Sequence, residues 1–149
     1  MEILAENKKA FFDYEILDKY EAGLILSGQE TKSAKLGNIS LKGAFVTFHG
    51  QGAYLTNATI TKYKQAGNLP LYDPTQSRKI LLHKKEIAYL REKSLEKGLT
   101  IVPIKVYTNN HFVKMEIALA RGKHKYDKRE AIKKRDENRE TKRAMKNLD

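Results

Sequence analysis

The chain contains no cysteine. That one absence removes disulfides, thiolate zinc sites and cysteine nucleophiles together, and it fits a reducing compartment. No stretch approaches the roughly 18 consecutive apolar residues that a membrane-spanning helix needs. The opening Met1-Glu2-Ile3-Leu4-Ala5-Glu6 is acidic and mixed, unlike the basic-then-apolar start of a secretory signal. A soluble cytoplasmic chain with no membrane partner is expected. Catalytic signatures are missing as well. The four histidines, His49, His83, His111 and His124, stand in no His-Glu-x-x-His arrangement, so no metal site is expected. There is neither a Gly-x-x-x-x-Gly-Lys phosphate loop nor a Gly-x-Ser-x-Gly elbow, and with them go a nucleotide cofactor and an acyl-transfer site. The sequence predicts a protein that binds rather than one that catalyses.

What is present is positive charge. Lysine and arginine number 29 against 18 aspartates and glutamates, a net of +11. A surplus of that size points to a polyanion, either nucleic acid or an anionic membrane surface. It is unevenly spread. Residues 1–120 carry a net of +5, and the 29 residues from 121 to 149 carry +6 with 18 charged side chains among them. This last stretch has too few apolar groups to offset its chain entropy and is expected to be disordered alone. It also holds no glycine or proline after Lys123, and Glu130 stands four residues before Lys134 in the favourable order, so it is competent to become a helix on a polyanion. The domain organisation predicted is a folded unit over 1–122 and a basic tail over 123–149.

Within 1–122 the pattern is mostly strand. Phe11–Ile16 and Glu21–Leu26 are β-prone runs separated by Leu17-Asp18-Lys19. Ser27-Gly28-Gln29-Glu30 has the form of a helix start and Gly37 that of a stop, which predicts a helix over Glu30–Leu36. Phe45–Phe48 and Ala53–Thr56 flank Gly50-Gln51-Gly52 as a hairpin, and Gly67–Pro74 reads as a mobile surface loop. Ile87, Leu90 and Leu95 give Lys84–Lys97 an apolar stripe, with Gly98 to end the helix. Ile101–Tyr107 and Phe112–Ala120 form a second hairpin around Asn109-Asn110. In its second strand Val113, Met115, Ile117 and Leu119 alternate with Lys114, Glu116 and Ala118, the period of a sheet with one buried face. Pro103 predicts an edge or a bulge. The fold class expected is mainly β with helices, an OB-like small antiparallel barrel of about six strands.

Two features point to RNA. Arg78-Lys79 and Lys84-Lys85 bracket Ile80-Leu81-Leu82-His83, the arrangement expected of a buried barrel strand whose ends meet phosphates. Tyr14, Tyr20, Tyr54 and Tyr63 are either base-stacking rings or half-buried barrel residues.

Six colinear segments then carry a resemblance. They are Asn7-Lys8-Lys9-Ala10, Glu21-Ala22-Gly23-Leu24, Gly28-Gln29-Glu30-Thr31-Lys32-Ser33, the long run from Asp73 to Ile87, Gly98–Pro103, and Glu116–Lys123 continuing into Tyr126-Asp127-Lys128-Arg129. Together they resemble the small protein B (SmpB) family, the SsrA- or tmRNA-binding proteins of bacterial trans-translation. The resemblance implies an OB-type barrel with about three helices that binds the tRNA-like domain of tmRNA. It implies delivery of that RNA to a stalled ribosome, with elongation factor Tu engaged indirectly through the charged tmRNA, and a monomeric protein. By carry-over, Asn7, Glu21, Leu81 and His83 fall on the RNA-contacting face, with Lys114 and Lys123 as neighbours. Tyr126, Asp127, Lys128 and Arg129, and further on Ala144, Met145 and Lys146, fall where the family's tail meets the small-subunit rRNA decoding centre and the mRNA channel. Thr31, Gln76 and His124 depart from a typical Val, Arg and Lys; the last two each remove a cation. Asn7 and His83 have structural readings too, as caps of a turn and of the Lys84 helix. Glu21 is chemically odd on a phosphate-binding face. It either accepts a hydrogen bond from a base or a 2′-OH, orients a lysine, or forms a structural ion pair. The alternative for the whole chain is a general structured-RNA-binding or ribosomal protein with a basic tail.

Overall fold

A computed structural model of the chain describes residues 1–123. Along them run β1 (Glu2–Glu6), α1 (Lys8–Asp13), β2 (Tyr14–Leu24), α2 (Gly28–Lys35), β3 (Ile39–Ser40), β4 (Phe45–His49), β5 (Gly52–Thr56), β6 (Thr59–Ile60), a 3-10 turn at Lys64–Ala66, β7 (Arg78–Leu81), α3 (Lys84–Ser94), β8 (Leu99–Asn109) and β9 (Phe112–Gly122). Seven strands form one antiparallel sheet in the order β1-β8-β9-β2-β7-β5-β4, and β3 pairs with β6 separately. The sheet curls until β4 packs against β8, which encloses Leu55, Ile60, Ile80, Leu90, Ile101, Met115 and Ile117 in one core. The mainly-β barrel with three α-helices expected from the sequence is present, with nine strands in place of about six.

Two bulges explain how long strands serve two cores. In β2, Ile16 pairs with Ala120 and Asp18 with Leu119, so Leu17 is extra. One inserted residue reverses which face the following side chains take. Tyr14 and Ile16 before it therefore pack outward on a second cluster of Ala10, Val102, Ile104, Ala118 and Ala120, whereas Ala22 and Leu24 after it point into the main core. In β8 the register shifts between Pro103 and Lys105, at the proline that predicted it. The outer cluster is roofed by α1. Only small side chains at Ala118 and Ala120 let that helix lie close, so β9 has one buried face over Val113–Met115 but two over Ile117–Ala120. The aromatic run Phe11–Ile16 is accordingly not one strand. It divides into the last turn of α1, which buries Ala10, and the start of β2; the separation expected at Leu17–Lys19 is a bulge in a continuous strand.

The helix signals behave as anticipated. The Ser27 hydroxyl accepts from the Glu30 N–H at 3.4 Å, and the Glu30 carboxylate accepts from the Ser27 N–H at 3.1 Å, a reciprocal capping box. At the other end Asn38 N–H reaches the Ser33 carbonyl and Gly37 N–H the Ala34 carbonyl, with Gly37 at φ +87°. That pairing is the Schellman close, which requires a residue at ease in the left-handed region. Removing the cap by Ser27→Ala is expected to cost about 1 kcal/mol and to lower the thermal midpoint, read by circular dichroism, by about 4 °C. The helix α3 ends at Ser94, one turn earlier than its sequence pattern, leaving Leu95 exposed.

Candidate nucleic-acid interface

The strand β7 alternates rather than lying buried throughout: Ile80 is in the core, and Leu81 is 55% exposed. Arg78 is not available to a phosphate at all. Its side chain is 2% exposed, against 3% for Glu30, and the two meet at 2.7 Å. Arg78 also donates to the carbonyls of Ala58 and Pro74 at 2.7 and 2.8 Å. The Tyr72 hydroxyl, with one hydrogen to donate, lies 2.7 Å from the Ile60 carbonyl and 3.1 Å from Glu30, and the Gln76 amide donates to Glu30 at 3.2 Å. Burial pushes the Glu30 carboxyl up, but bonds from the Ser27 N–H and the Arg78 guanidinium outweigh it and hold the group below its ordinary value. This knot joins α2 to β7 and anchors the end of the 67–74 loop at Tyr72 and Pro74. Of the four cations that bracket the strand, Lys79, Lys84 and Lys85 remain on the surface. Gln76, where the resemblance leads one to expect a cation, serves the buried carboxylate.

Downstream of Arg78, the end of β7 and the N-cap of α3 deliver Leu81 and His83 to a groove that β2, β9 and the β8–β9 turn complete. Glu21, Leu81, His83 and Lys114 all line it, together with Phe112 and His111. Four of the six residues expected on the RNA face therefore converge. Glu21 on β2 pairs with Glu116 on β9, and Gly23 with Lys114, which sets Lys114 diagonally across from Glu21 on the outer face. Lys114 in turn pairs with Tyr107 on β8. The carboxylate is thus gripped from two strands: Tyr107 Oη donates to Oε2 at 2.5 Å and Lys114 Nζ to Oε1 at 3.0 Å. The bond from Tyr107, followed by that from Lys114, holds the Glu21 carboxyl below its ordinary value. Burial and the same carboxylate push the Tyr107 hydroxyl up. Across the working pH range the group is an ionised acceptor beside an ammonium. His83 takes the N-cap position of α3 through its backbone, its N–H donating to Glu86 at 3.1 Å, and its ring is left at the surface.

Asn7 and Lys123 do not line the groove. The Asn7 backbone N–H donates to the Ile104 carbonyl at 2.7 Å and its amide to the Pro103 carbonyl at 2.9 Å, so it ties the start of α1 to the bulge in β8 and makes no side-chain cap. Lys123 follows β9, with its N–H on the Asp13 carbonyl and Nζ on the Phe11 carbonyl. Tyr126, Asp127, Lys128, Arg129, Ala144, Met145, Lys146 and His124 lie outside the described residues.

Tyr14, Tyr20, Tyr54 and Tyr63 are all half-buried. Tyr54 packs on His49 with ring centroids 5.6 Å apart, and Tyr63 sits under Lys32. The aromatic ring that lines the groove is instead Phe112, and the buried Tyr107 reaches it only through Glu21; the sequence pattern singles out neither. The signal for Tyr107 was the two-residue period from Lys105, and for Phe112 its place at the mouth of the Asn109-Asn110 turn.

The whole-chain comparison decides between the two RNA-binding readings. The model of the family described as "SmpB protein" matches residues 4–147. The chain belongs to the SmpB family. Relatives named SsrA-binding protein include one from Ligilactobacillus salivarius, 51% identical over 97% of this chain and 92% of that protein. Another, from Sulfurihydrogenibium sp., is 53% identical over 97% and 94%. Among solved structures, one described as "tmRNA-SmpB: a journey to the center of the bacterial ribosome" matches with a TM-score of 0.68 and 43% identity, covering 85% of this chain and 92% of that one. Among the described residues, no group of histidines and carboxylates is placed to hold a metal, and no helix is long and apolar enough to cross a membrane.

Proposed function

We propose that this SmpB-family chain binds the tRNA-like domain of tmRNA through the Glu21–Leu81–His83–Lys114 groove and delivers it to stalled ribosomes for trans-translation. It acts as a binding protein and not as an enzyme. Asn7 and Lys123 support the binding face by fixing α1 on the sheet. Residues 124–149 carry the second contact: Tyr126, Asp127, Lys128 and Arg129, with Ala144, Met145 and Lys146, enter the vacant decoding centre and mRNA channel of the small subunit. The protein works in the cytoplasm as a monomer, and elongation factor Tu joins through the charged tmRNA. The observation that carries this reading is the convergence of four residues from three separately placed stretches of sequence on one groove, in a chain about half identical to proteins named for SsrA binding.

The discriminating measurement is a salt-titrated competition between the tRNA-like domain of tmRNA and ordinary tRNA. Phosphate contacts alone make every RNA bind and fall together as salt rises. A shaped groove adds a part that salt does not erase. The expected result is a preference of about tenfold or more for the tmRNA domain that persists at about 0.2 M salt. Equal affinities that fade together would favour the general RNA-binding alternative.

A further inference from the structure

The groove holds a carboxylate where a phosphate-binding surface would have none, and its surroundings say what that carboxylate is for. Among the described residues, each Glu21 oxygen takes one hydrogen bond, Oε2 from Tyr107 and Oε1 from Lys114. A carboxylate oxygen has room for two donors, so each retains one acceptor position, and the side chain is 54% exposed. Lys114 has three donors and uses one on Oε1. Read along the groove, the polar groups therefore run donor, acceptor, acceptor: Lys114 Nζ, Glu21 Oε1, Glu21 Oε2. Around them stand apolar faces without a cover, the Phe112 ring at 69% exposure, with Leu81 and Ile25. Apolar walls around a short row of fixed polar groups are what an unstacked base needs, stacking on one and hydrogen-bonding to the other.

Only one of the four RNA bases has the complementary edge. Guanine offers an acceptor at O6 followed by donors at N1–H and N2–H. Adenine and cytosine each offer one exocyclic donor beside a ring nitrogen acceptor, which a carboxylate repels. Uracil places its single N–H between two carbonyls. Building on the proposed tmRNA-binding role of this groove, we propose that it reads an unpaired guanine: O6 on Lys114, the N1 and N2 hydrogens on Glu21, and the base plane against Phe112. Tyr107 does not touch the base. It is a positioning residue, whose hydroxyl stops the carboxylate from rotating away from the orientation that presents both oxygens together.

The test is an NMR titration of the isotope-labelled full-length chain with GMP, IMP, AMP, CMP and UMP. The signals followed are those of Phe112, Tyr107, Leu81 and Glu21, with concentrations up to about 20 mM to reach weak affinities. GMP is expected to shift the groove signals with an affinity about fivefold or more above the other bases, with IMP, which lacks the N2 donors, falling short of it by a similar factor. Glu21→Gln replaces one acceptor with a donor, the pattern that suits adenine, so it should remove the GMP preference and raise AMP relative to it. Tyr107→Phe should narrow the gap between GMP and IMP while leaving the core signals in place, which a merely structural role would not do. Affinities within twofold of one another would assign Glu21 to the shared ribose and overturn the guanine assignment; so would shifts confined to other surfaces, or none at the highest concentration. A parallel titration with the tRNA-like domain separates the two claims. If Glu21→Gln weakens that RNA but the nucleotide series is flat, base reading fails and the tmRNA site stands. If that RNA binds the variant as tightly as the parent, the groove itself is wrongly assigned.

Discussion

Arg78→Met is expected to lower the thermal midpoint of the protein by about 10–20 °C. The loss comes from where the guanidinium sits, not from the strength of an ion pair. Both members of the Arg78–Glu30 pair are buried, and taking charges out of water costs several kcal/mol each, so the pair itself contributes little net stability. Removing one partner is different. Glu30 would remain as an uncompensated buried charge, and the carbonyls of Ala58 and Pro74 would lose their donors. Such a deletion costs about 3–5 kcal/mol, and a domain of this size gives up about 3–5 °C for each. The pairwise part is isolated by a Glu30→Met, Arg78→Met double variant, which leaves no orphaned charge and should recover a clear fraction of the loss. A midpoint within about 3 °C of the parent for the single variant would mean that water reaches Glu30 and the site is not closed. The pH dependence has a definite sign. Because Glu30 is held below its ordinary 4.5, its contribution is fully present above that value. It is lost as the pH falls through the lowered folded value. Acid should therefore erode the parent's advantage over Arg78→Met, and alkali should leave it intact.

Truncation after Lys123 should separate the two proposed contacts. Among the described residues both cores lie between Leu4 and Ala120, and Lys123 still bonds to α1, so the remaining chain retains these contacts. Its affinity for the tRNA-like domain is expected to stay within about threefold at physiological salt, with a shallower salt slope because cations have been removed. Peptide tagging on stalled ribosomes is expected to fall by about 100-fold or more, since delivery then lacks the element proposed to engage the decoding centre. The measurements are an equilibrium RNA-binding assay and a reconstituted tagging assay on the same preparation. Loss of tmRNA binding on truncation would overturn the division of labour, and undiminished tagging would remove the role assigned to the tail.

How much of this was legible beforehand depended on whether a signal was local. The capping box at Ser27 and Glu30 and the stop at Gly37 are written in a few adjacent residues, and Pro103 narrows its strand to an edge or a bulge, of which the structure has the bulge. The start of β2 was misread because its evidence is distant. Phe11, Phe12 and Tyr14 look like a strand until Ala118 and Ala120, more than a hundred residues on, supply a surface flat enough for α1. The same holds at the site. Glu21, Leu81, His83 and Lys114 were reached through resemblance, and no periodicity in the sequence brings them together. Arg78 was assigned to phosphate because a cation beside a strand usually faces solvent; its actual partner, Glu30, is 48 residues away. Tyr107 escaped notice because its importance comes from a neighbour on another strand.

The doubly covered strand β9 has one more consequence. It opens at the groove with Lys114 and ends where Lys123 leads into the tail, nine residues later, a contour of about 30 Å at the rise of an extended chain. Packed on both faces over its second half, it acts as a fixed ruler between whatever is held at one end and whatever is reached from the other. Its graduations are coarse. Adding one residue would turn every later side chain to the opposite face, exchanging Ile117 and Leu119 for Ala118 and Ala120 between the two cores. The interval can therefore change only in two-residue steps of about 7 Å. A molecule that must span two RNAs at a set separation gains from such a scale, because small drifts in length are excluded by the packing itself.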